Sequence, residues 1–198
     1  MKRTILLLSL LVTLVSAHAQ KKIRVACVGN SITYGYTLPD REQNAYPFKL
    51  QKMLGDAYEV GNFGHSGATL LNKGHRPYTK VKEYEQALAF AGDIVVIHLG
   101  INDTDPRNWP NYQDEFIGDY CALIRDFRKA NPKARILIAR MTPLSDRHRR
   151  YESGTRDWHE QIQEAIACVA RAEKVQMINF FEPLHPYPYI LEDAVHPN

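Results

Sequence analysis

Two short motifs at opposite ends of the chain carry the residue types of nucleophilic catalysis. Gly29-Asn30-Ser31-Ile32-Thr33 follows the first apolar run, Ile23 to Val28, and Asp193-Ala194-Val195-His196-Pro197 lies just before the last residue, Asn198. A serine hydroxyl is a poor nucleophile at neutral pH unless a nearby base takes its proton. Histidine can be that base, and a carboxylate can orient the imidazole and stabilise its charged form. Asp193 and His196 are three apart, so one turn places both side chains on the same side. The chemistry exists only if the intervening chain folds Ser31 against His196.

The elements that would do this alternate along the chain. Ile23 to Val28 reads as a first strand, residues 46 to 54 as a short helix, and Tyr58 to Asn62 as a second strand. Tyr78 to Phe90 has apolar residues at helical spacing, and Asp93 to Leu99 contains the β-branched run Ile94-Val95-Val96-Ile97 of a strand buried on both faces. A long helix is expected over 112 to 130, stopped by Asn131-Pro132, then a strand over 134 to 139, a polar loop over 141 to 155, a helix over 156 to 174 and a strand over 175 to 180. Alternating strands and helices imply right-handed crossovers, a parallel sheet and helices on both faces. The expected architecture is a three-layer α/β/α sandwich with a doubly wound, mostly parallel five-stranded sheet. Ligands bind such sheets beyond the carboxyl ends of the strands, where four polar segments would converge: Asn30-Ser31, Gly64 to Gly67, Asn102-Asp103 and Thr142 to Tyr151.

Four separated blocks then resemble the SGNH hydrolases, also called the GDSL esterase/lipase family. Gly29 to Thr33 looks like the nucleophile block, Asn62 to Thr69 (NFGHSGAT) like the glycine block, Gly100 to Asp103 (GIND) like the G-x-N-D block, and Asp193 to His196 like the terminal D-x-x-H block. The resemblance covers essentially all of residues 20–198. It implies Ser31 as nucleophile, His196 as general base and Asp193 as its partner. It also implies an oxyanion hole made of the backbone N–H groups of Ser31 and Gly64 and the side-chain amide of Asn102. Such donors lower the barrier because negative charge develops on the substrate carbonyl oxygen. One departure is Asn30, where the family's name implies Asp; the exchange removes a charge but no catalytic group. Another concerns the end of the chain. The resemblance implies a helix after the histidine, so the domain is expected to lack its C-terminal helix and to hold His196 on a loosely tethered end.

Several other residues are candidates for substrate binding. His65 could line the pocket or hydrogen-bond its own loop. Asp105, Arg107, Asn108 and Trp109 form a polar-aromatic mix that suits a sugar, or a solvated loop. Arg140 could fork a substrate carboxylate or pair with Asp105 or Asp146. Asp103 could hold its loop by accepting backbone hydrogen bonds, and His98, inside a strand, reads as a core histidine. The run Arg147-His148-Arg149-Arg150 is either a solvated loop or an anion site. The expected function is hydrolysis of short, acetyl-type esters on carbohydrates such as sialic acid or polysaccharides. The alternatives are a lysophospholipase, thioesterase or arylesterase of the same family, or a non-catalytic carbohydrate-binding module on the fold.

Residues 1–19 read as a signal peptide. Lys2 and Arg3 precede a short apolar run, Ile5 to Val15, and Ala17-His18-Ala19 is a cleavage pattern. The rest, residues 20–198, suits one domain, and the expected location is the periplasm or the extracellular space of a bacterium. No later run approaches the length of a membrane span. The formal charge of +3 falls to +1 once Lys2 and Arg3 are set aside, too little to argue for nucleic acid. Cys27, Cys121 and Cys168 have neither disulfide-framework nor zinc spacing and read as buried small apolar groups. No metal-binding pattern is present, and no cofactor is expected. The expected partner is a small-molecule or oligosaccharide ester.

Overall fold

The computed structural model describes residues 21–198; the expected signal peptide lies outside the described residues. Five strands, β1 (Ile23–Gly29), β2 (Tyr58–Gly64), β3 (Ile94–His98), β4 (Arg135–Arg140) and β5 (Gln176–Asn179), form one sheet in the order β2-β1-β3-β4-β5. Every pairing is parallel. The helices are α1 (Ser31–Tyr34), α2 (Arg41–Asn44), α3 (Tyr46–Leu54), α4 (Lys82–Phe90), α5 (Trp109–Tyr112), α6 (Phe116–Ala130) and α7 (Arg156–Glu173). The three-layer, doubly wound expectation holds.

The alternation along β1 explains the layering. Ala26 and Val28 point into a large apolar cluster with Val95 and Ile97 of β3, against Tyr84 and Leu88 of α4, Phe116, Tyr120, Ile124 and Phe127 of α6, and Ile162, Ile166 and Val169 of α7. Val25 and Cys27 point the other way, with Val96, against Tyr46, Leu50 and Leu54 of α3. A parallel strand covered on both faces reads as a continuous apolar run. Cys27 is enclosed there, and burial pushes its thiol up to about 12, so it packs as an inert apolar group. Cys121 is buried too, but Cys168 is only half-buried and accepts from Arg171 Nη2 at 3.1 Å. Its place on the outer side of α7 explains the difference from expectation.

Element boundaries differ where local geometry intervenes. The expected helix over Tyr78 to Phe90 begins as a single 3₁₀ turn, Tyr78–Lys80, and Val81 in extended conformation separates it from α4. The long helix starts later than expected, at Phe116, because α5 and a 3₁₀ turn occupy residues 109–115. At its far end Asn131 leaves the helical region before Pro132, as a residue preceding proline must tend to do. The Asn131 side chain then donates to Gly92 O at 3.1 Å, pinning α6 beside the start of β3.

Strand order sets the place of the site. The connection from β1 goes by way of α3 to β2 on one side, whereas β3 continues by way of α6 to β4 on the other. The loops after β1 and β3 therefore part over the boundary between these neighbours, which opens a crevice at the carboxyl ends of the strands. Ser31 follows β1 and Asn102 follows β3, one on each side of that crevice. Phe116 is fully buried between Trp109 and Tyr120, with ring centroids at 5.3 and 5.9 Å. Phe116→Ala is expected to destabilise the domain by about 3–5 kcal/mol, read as a lower denaturant midpoint with an unchanged slope.

Candidate active site

Ser31 opens α1 directly after β1. Asn30 caps that helix: its Oδ1 accepts from Ile32 N at 3.0 Å. A cap needs only an acceptor oxygen at this position, so asparagine meets the local demand that aspartate meets in the family pattern. The cost is a buried Asn30 Nδ2 with no partner among the described residues. As the first residue of the helix, Ser31 has no intrahelical acceptor for its own N–H.

The far end of the chain meets this turn. His196 Nε2 lies 2.7 Å from Ser31 Oγ, and His196 Nδ1 lies 2.6 Å from Asp193 Oδ2. The other carboxylate oxygen of Asp193 accepts from the N–H groups of Val195 at 3.0 Å and His196 at 2.8 Å. Partial burial alone would raise the Asp193 carboxyl. The hydrogen bonds from His196 and Val195, and the imidazole charge, outweigh it and hold the carboxyl below its ordinary value. A carboxylate that stays ionised can keep the proton on Nδ1 and leave Nε2 free to accept one. Tyr36 packs on the imidazole with centroids 5.0 Å apart.

His196 is better held than the sequence suggests. Ala194 is buried and adopts φ 72°, a left-handed turn that folds Asp193 and His196 to one side. Leu191 is buried as well and forms an antiparallel bridge with Pro197. Val195 packs against the larger apolar cluster.

The loops after β2 and β3 are laced together. Asp103 is fully buried and accepts from Leu70 N at 2.9 Å and Leu71 N at 2.8 Å, the loop-holding role expected of it. Burial pushes its carboxyl up to about 7, against the lowering effect of these bonds. Asn102 Nδ2 donates to Ala68 O at 2.9 Å, which fixes the amide and leaves its second hydrogen available. Asn108, expected to contact a sugar or to lie in a solvated loop, is buried and joins both loops: it donates to Asn102 O at 2.8 Å and accepts from His75 N at 3.0 Å.

The glycine block needs a correction. The resemblance assigns the Gly64 N–H to an oxyanion, yet that N–H donates to Asn62 Oδ1 at 3.0 Å. Gly64 is required for packing, because a Cβ there would sit 2.2 Å from Tyr34 N of α1. Gly67 fits the donor role better. It occupies the left-handed position, φ 81°, of a turn closed by Ala68 N to His65 O at 3.1 Å. No hydrogen bond takes its N–H among the described residues, and it precedes the residue whose carbonyl orients Asn102.

The other candidates separate. Asp105 and Arg107 line a cavity of about 190 Å³ that also contains Asn102. Asp105 is already engaged there: Arg107 Nε at 2.8 Å and Arg150 Nη2 at 3.1 Å hold it. Burial would raise the Asp105 carboxyl, but these guanidinium groups outweigh burial and bring it to about 2. Trp109 does not face substrate. It is buried on Phe116, and its indole N–H donates to Gln161 Oε1 at 2.6 Å. Arg140 does not reach the site either, since β4 lies two strands from β1. It pairs with Glu182 at 2.9 Å, not with Asp105 or Asp146, and lies over the Phe181 ring at 4.8 Å. His65 turns to Glu83 of α4 at 2.8 Å, the loop-bonding alternative. His98 is buried as expected of a core histidine. Its Nε2 accepts from Thr142 N at 3.4 Å, and burial with the neighbouring His159 lowers it to about 4. A second cavity, about 690 Å³, is bounded by His196 and Asp193 together with Leu38, Asn44, Lys49 and Glu192.

Comparisons with known proteins bear on the family and the fold. The profile of the GDSL-like Lipase/Acylhydrolase family matches residues 27–198. An acetylxylan esterase of Xylanibacter ruminicola is 47% identical over 114 residues, 58% of this chain, and the match spans 24% of that protein's length. Among solved structures, the SGNH-hydrolase family esterase AlinE4 superposes with a TM-score of 0.64 at 19% identity, covering 90% of this chain and 87% of that one. Est24, a carbohydrate acetylesterase from Sinorhizobium meliloti, superposes with a TM-score of 0.57 at 20% identity, covering 80% and 84%. At such identities these structures speak for the fold.

The Asp105 cluster has a pH signature. Its folded value near 2 lies below the ordinary 3.8, so its contribution to stability is complete above the unfolded value and disappears as pH falls through the folded one. Thermal melts of wild type are expected to lose stability between pH about 4 and about 2 more steeply than melts of Asp105→Asn.

Proposed function

The chain belongs to the GDSL-like lipase/acylhydrolase family, and from that premise we propose that it is an exported serine esterase that removes acetyl groups from carbohydrate. The observation that carries the reaction is the 2.7 Å contact between Ser31 Oγ and His196 Nε2, from residues 165 apart in sequence. Ser31 Oγ attacks the ester carbonyl while His196 Nε2 takes its proton. The tetrahedral oxyanion is met by the N–H groups of Ser31 and Gly67 and by the free amide hydrogen of Asn102. Collapse expels the alcohol, which receives the proton from His196 and leaves Ser31 acylated. Water then attacks the acyl-enzyme with His196 again as base, the acid departs, and the proton returns to Ser31. Asp193 holds the imidazole throughout.

The two cavities support a short acyl group on a bulky alcohol. The group that His196 must protonate leaves on its side, where the larger cavity lies. The acyl part then points towards Asn102 and the smaller cavity, whose wall includes the Asp105–Arg107 ion pair. A long alkyl chain gains little from a charged wall and would disturb its solvation. Identity to an acetylxylan esterase over 114 residues supports an acetylated polysaccharide as the substrate class. Export rests on the basic start, apolar run and Ala17-His18-Ala19 pattern of the first residues. A non-catalytic binding module has less support, because nothing in binding alone requires a serine, a histidine and a carboxylate in hydrogen-bonded series.

Hydrolysis of acetylated xylan fragments and acetylated sialic acids, beside a series of model esters, tests the proposal. Ser31→Ala is expected to reduce kcat by about 10⁴–10⁶-fold. Asn102→Ala is expected to reduce kcat by about 10²–10³-fold with little change in KM, the mark of an interaction made in the transition state. Preference for octanoyl over acetyl esters would overturn the substrate assignment.

A further inference from the structure

The basic run after β4 has a different use from either reading of its sequence. Arg150 is paired with Asp105. Arg147 Nη2 donates to Leu191 O at 2.8 Å and to Pro188 O at 3.2 Å, and its Nε donates to Ser145 Oγ at 3.3 Å. Ser145 N donates to Ala194 O at 3.0 Å. Two residues of one loop, Ser145 and Arg147, thus grip three carbonyls of the turn that carries Asp193 and His196.

The grip matters because this turn has few other ties. Residues 187–198 are otherwise bonded locally, by Leu191 N to Pro188 O, Ala194 N to Leu191 O and Asn198 N to Ile190 O. Among the described residues, the hydrogen bonds joining this segment to anything before β5 are those of Ser145 and Arg147, and the His196–Ser31 contact itself. Ser145 and Arg147 are therefore the polar constraints that can define where His196 sits before it meets Ser31. The apolar anchors, Leu191, Ala194 and Val195, resist withdrawal of the segment but fix no orientation, since hydrophobic contact is non-directional.

We infer that Arg147 is a positioning residue for the reaction: by bridging the Pro188 and Leu191 carbonyls it sets the turn so that His196 Nε2 faces Ser31 Oγ. The inference rests on the proposed roles of Ser31 and His196. A planar guanidinium with fixed donors suits two carbonyls better than a flexible ammonium. Arg147 is itself exposed, so its bonds add little to global stability, while a small displacement of a reacting group can cost about a hundredfold in rate.

The test measures 4-nitrophenyl acetate hydrolysis by wild type, Arg147→Ala and Arg147→Lys. Arg147→Ala is expected to lose about 10–100-fold in kcat, with KM and melting temperature nearly unchanged. Lysine should recover part of the loss, and added guanidinium ion should raise the rate of Arg147→Ala but not of wild type. Wild-type kcat in Arg147→Ala would overturn the inference, as would a loss in kcat that tracks the melting temperature and shows no guanidinium rescue. Should Arg147→Ala fail to fold, Arg147→Gln carries the same expectations. Ser31→Ala is the control: if it retains hydrolysis, the serine mechanism itself fails, whatever Arg147 does.

Discussion

A hydrogen bond of 2.7 Å joins residues 31 and 196, and the rest of the molecule can be understood as what makes that contact hold. A parallel sheet sends all its strands out at the same edge, so residues far apart in sequence arrive together without any strand reversing. The order β2-β1-β3-β4-β5 adds the crevice, because the connections leaving β1 and β3 travel to opposite sides. The apolar clusters on both faces keep the strands in place. They say nothing about direction within the crevice, which must come from polar bonds.

Those bonds are arranged as a chain of dependencies. Asn30 caps the short helix that presents Ser31. Asp103 gathers two N–H groups from the loop after β2, and Asn102 and Asn108 fasten that loop to the one after β3. The turn bearing Asp193 and His196 is closed by its own aspartate and held from outside by Ser145 and Arg147. Buried polar groups are costly unless satisfied, and once satisfied they hold a single arrangement. The proposed oxyanion donors share a distinguishing trait: they are N–H groups that this lacing leaves unoccupied.

Much of this was legible in the chain. The β-branched run of β3 and the helical face of α6 have strong local periods, and both fall where their patterns place them. Ser31, Asn102, Asp193 and His196 all reach the crevice edge, since each sits just beyond a strand or in a terminal motif of fixed spacing. Substrate-facing side chains were less legible. Trp109 reads as a sugar contact or a loop residue and is instead part of the core; Arg140 reads as a fork for a substrate carboxylate or a partner of Asp105 or Asp146 and is paired with Glu182. An aromatic or an arginine beside a catalytic loop has the same local sequence whether it points out or in.

The sequence by itself determined the order of strands and helices, the parallel sheet and the residues able to form a serine-histidine-carboxylate series, because periodicity and chain order are local properties. Tertiary structure alone decided which of them are free to act. Gly64 and Gly67 lie three residues apart in one motif, yet the first N–H is taken by Asn62 and the second is open. Arg147 reads as a surface charge until its guanidinium is seen bridging the Pro188 and Leu191 carbonyls beside the His196 turn. Whether a donor is spoken for depends on what lies within about 3 Å of it, and that distance is set by the whole fold.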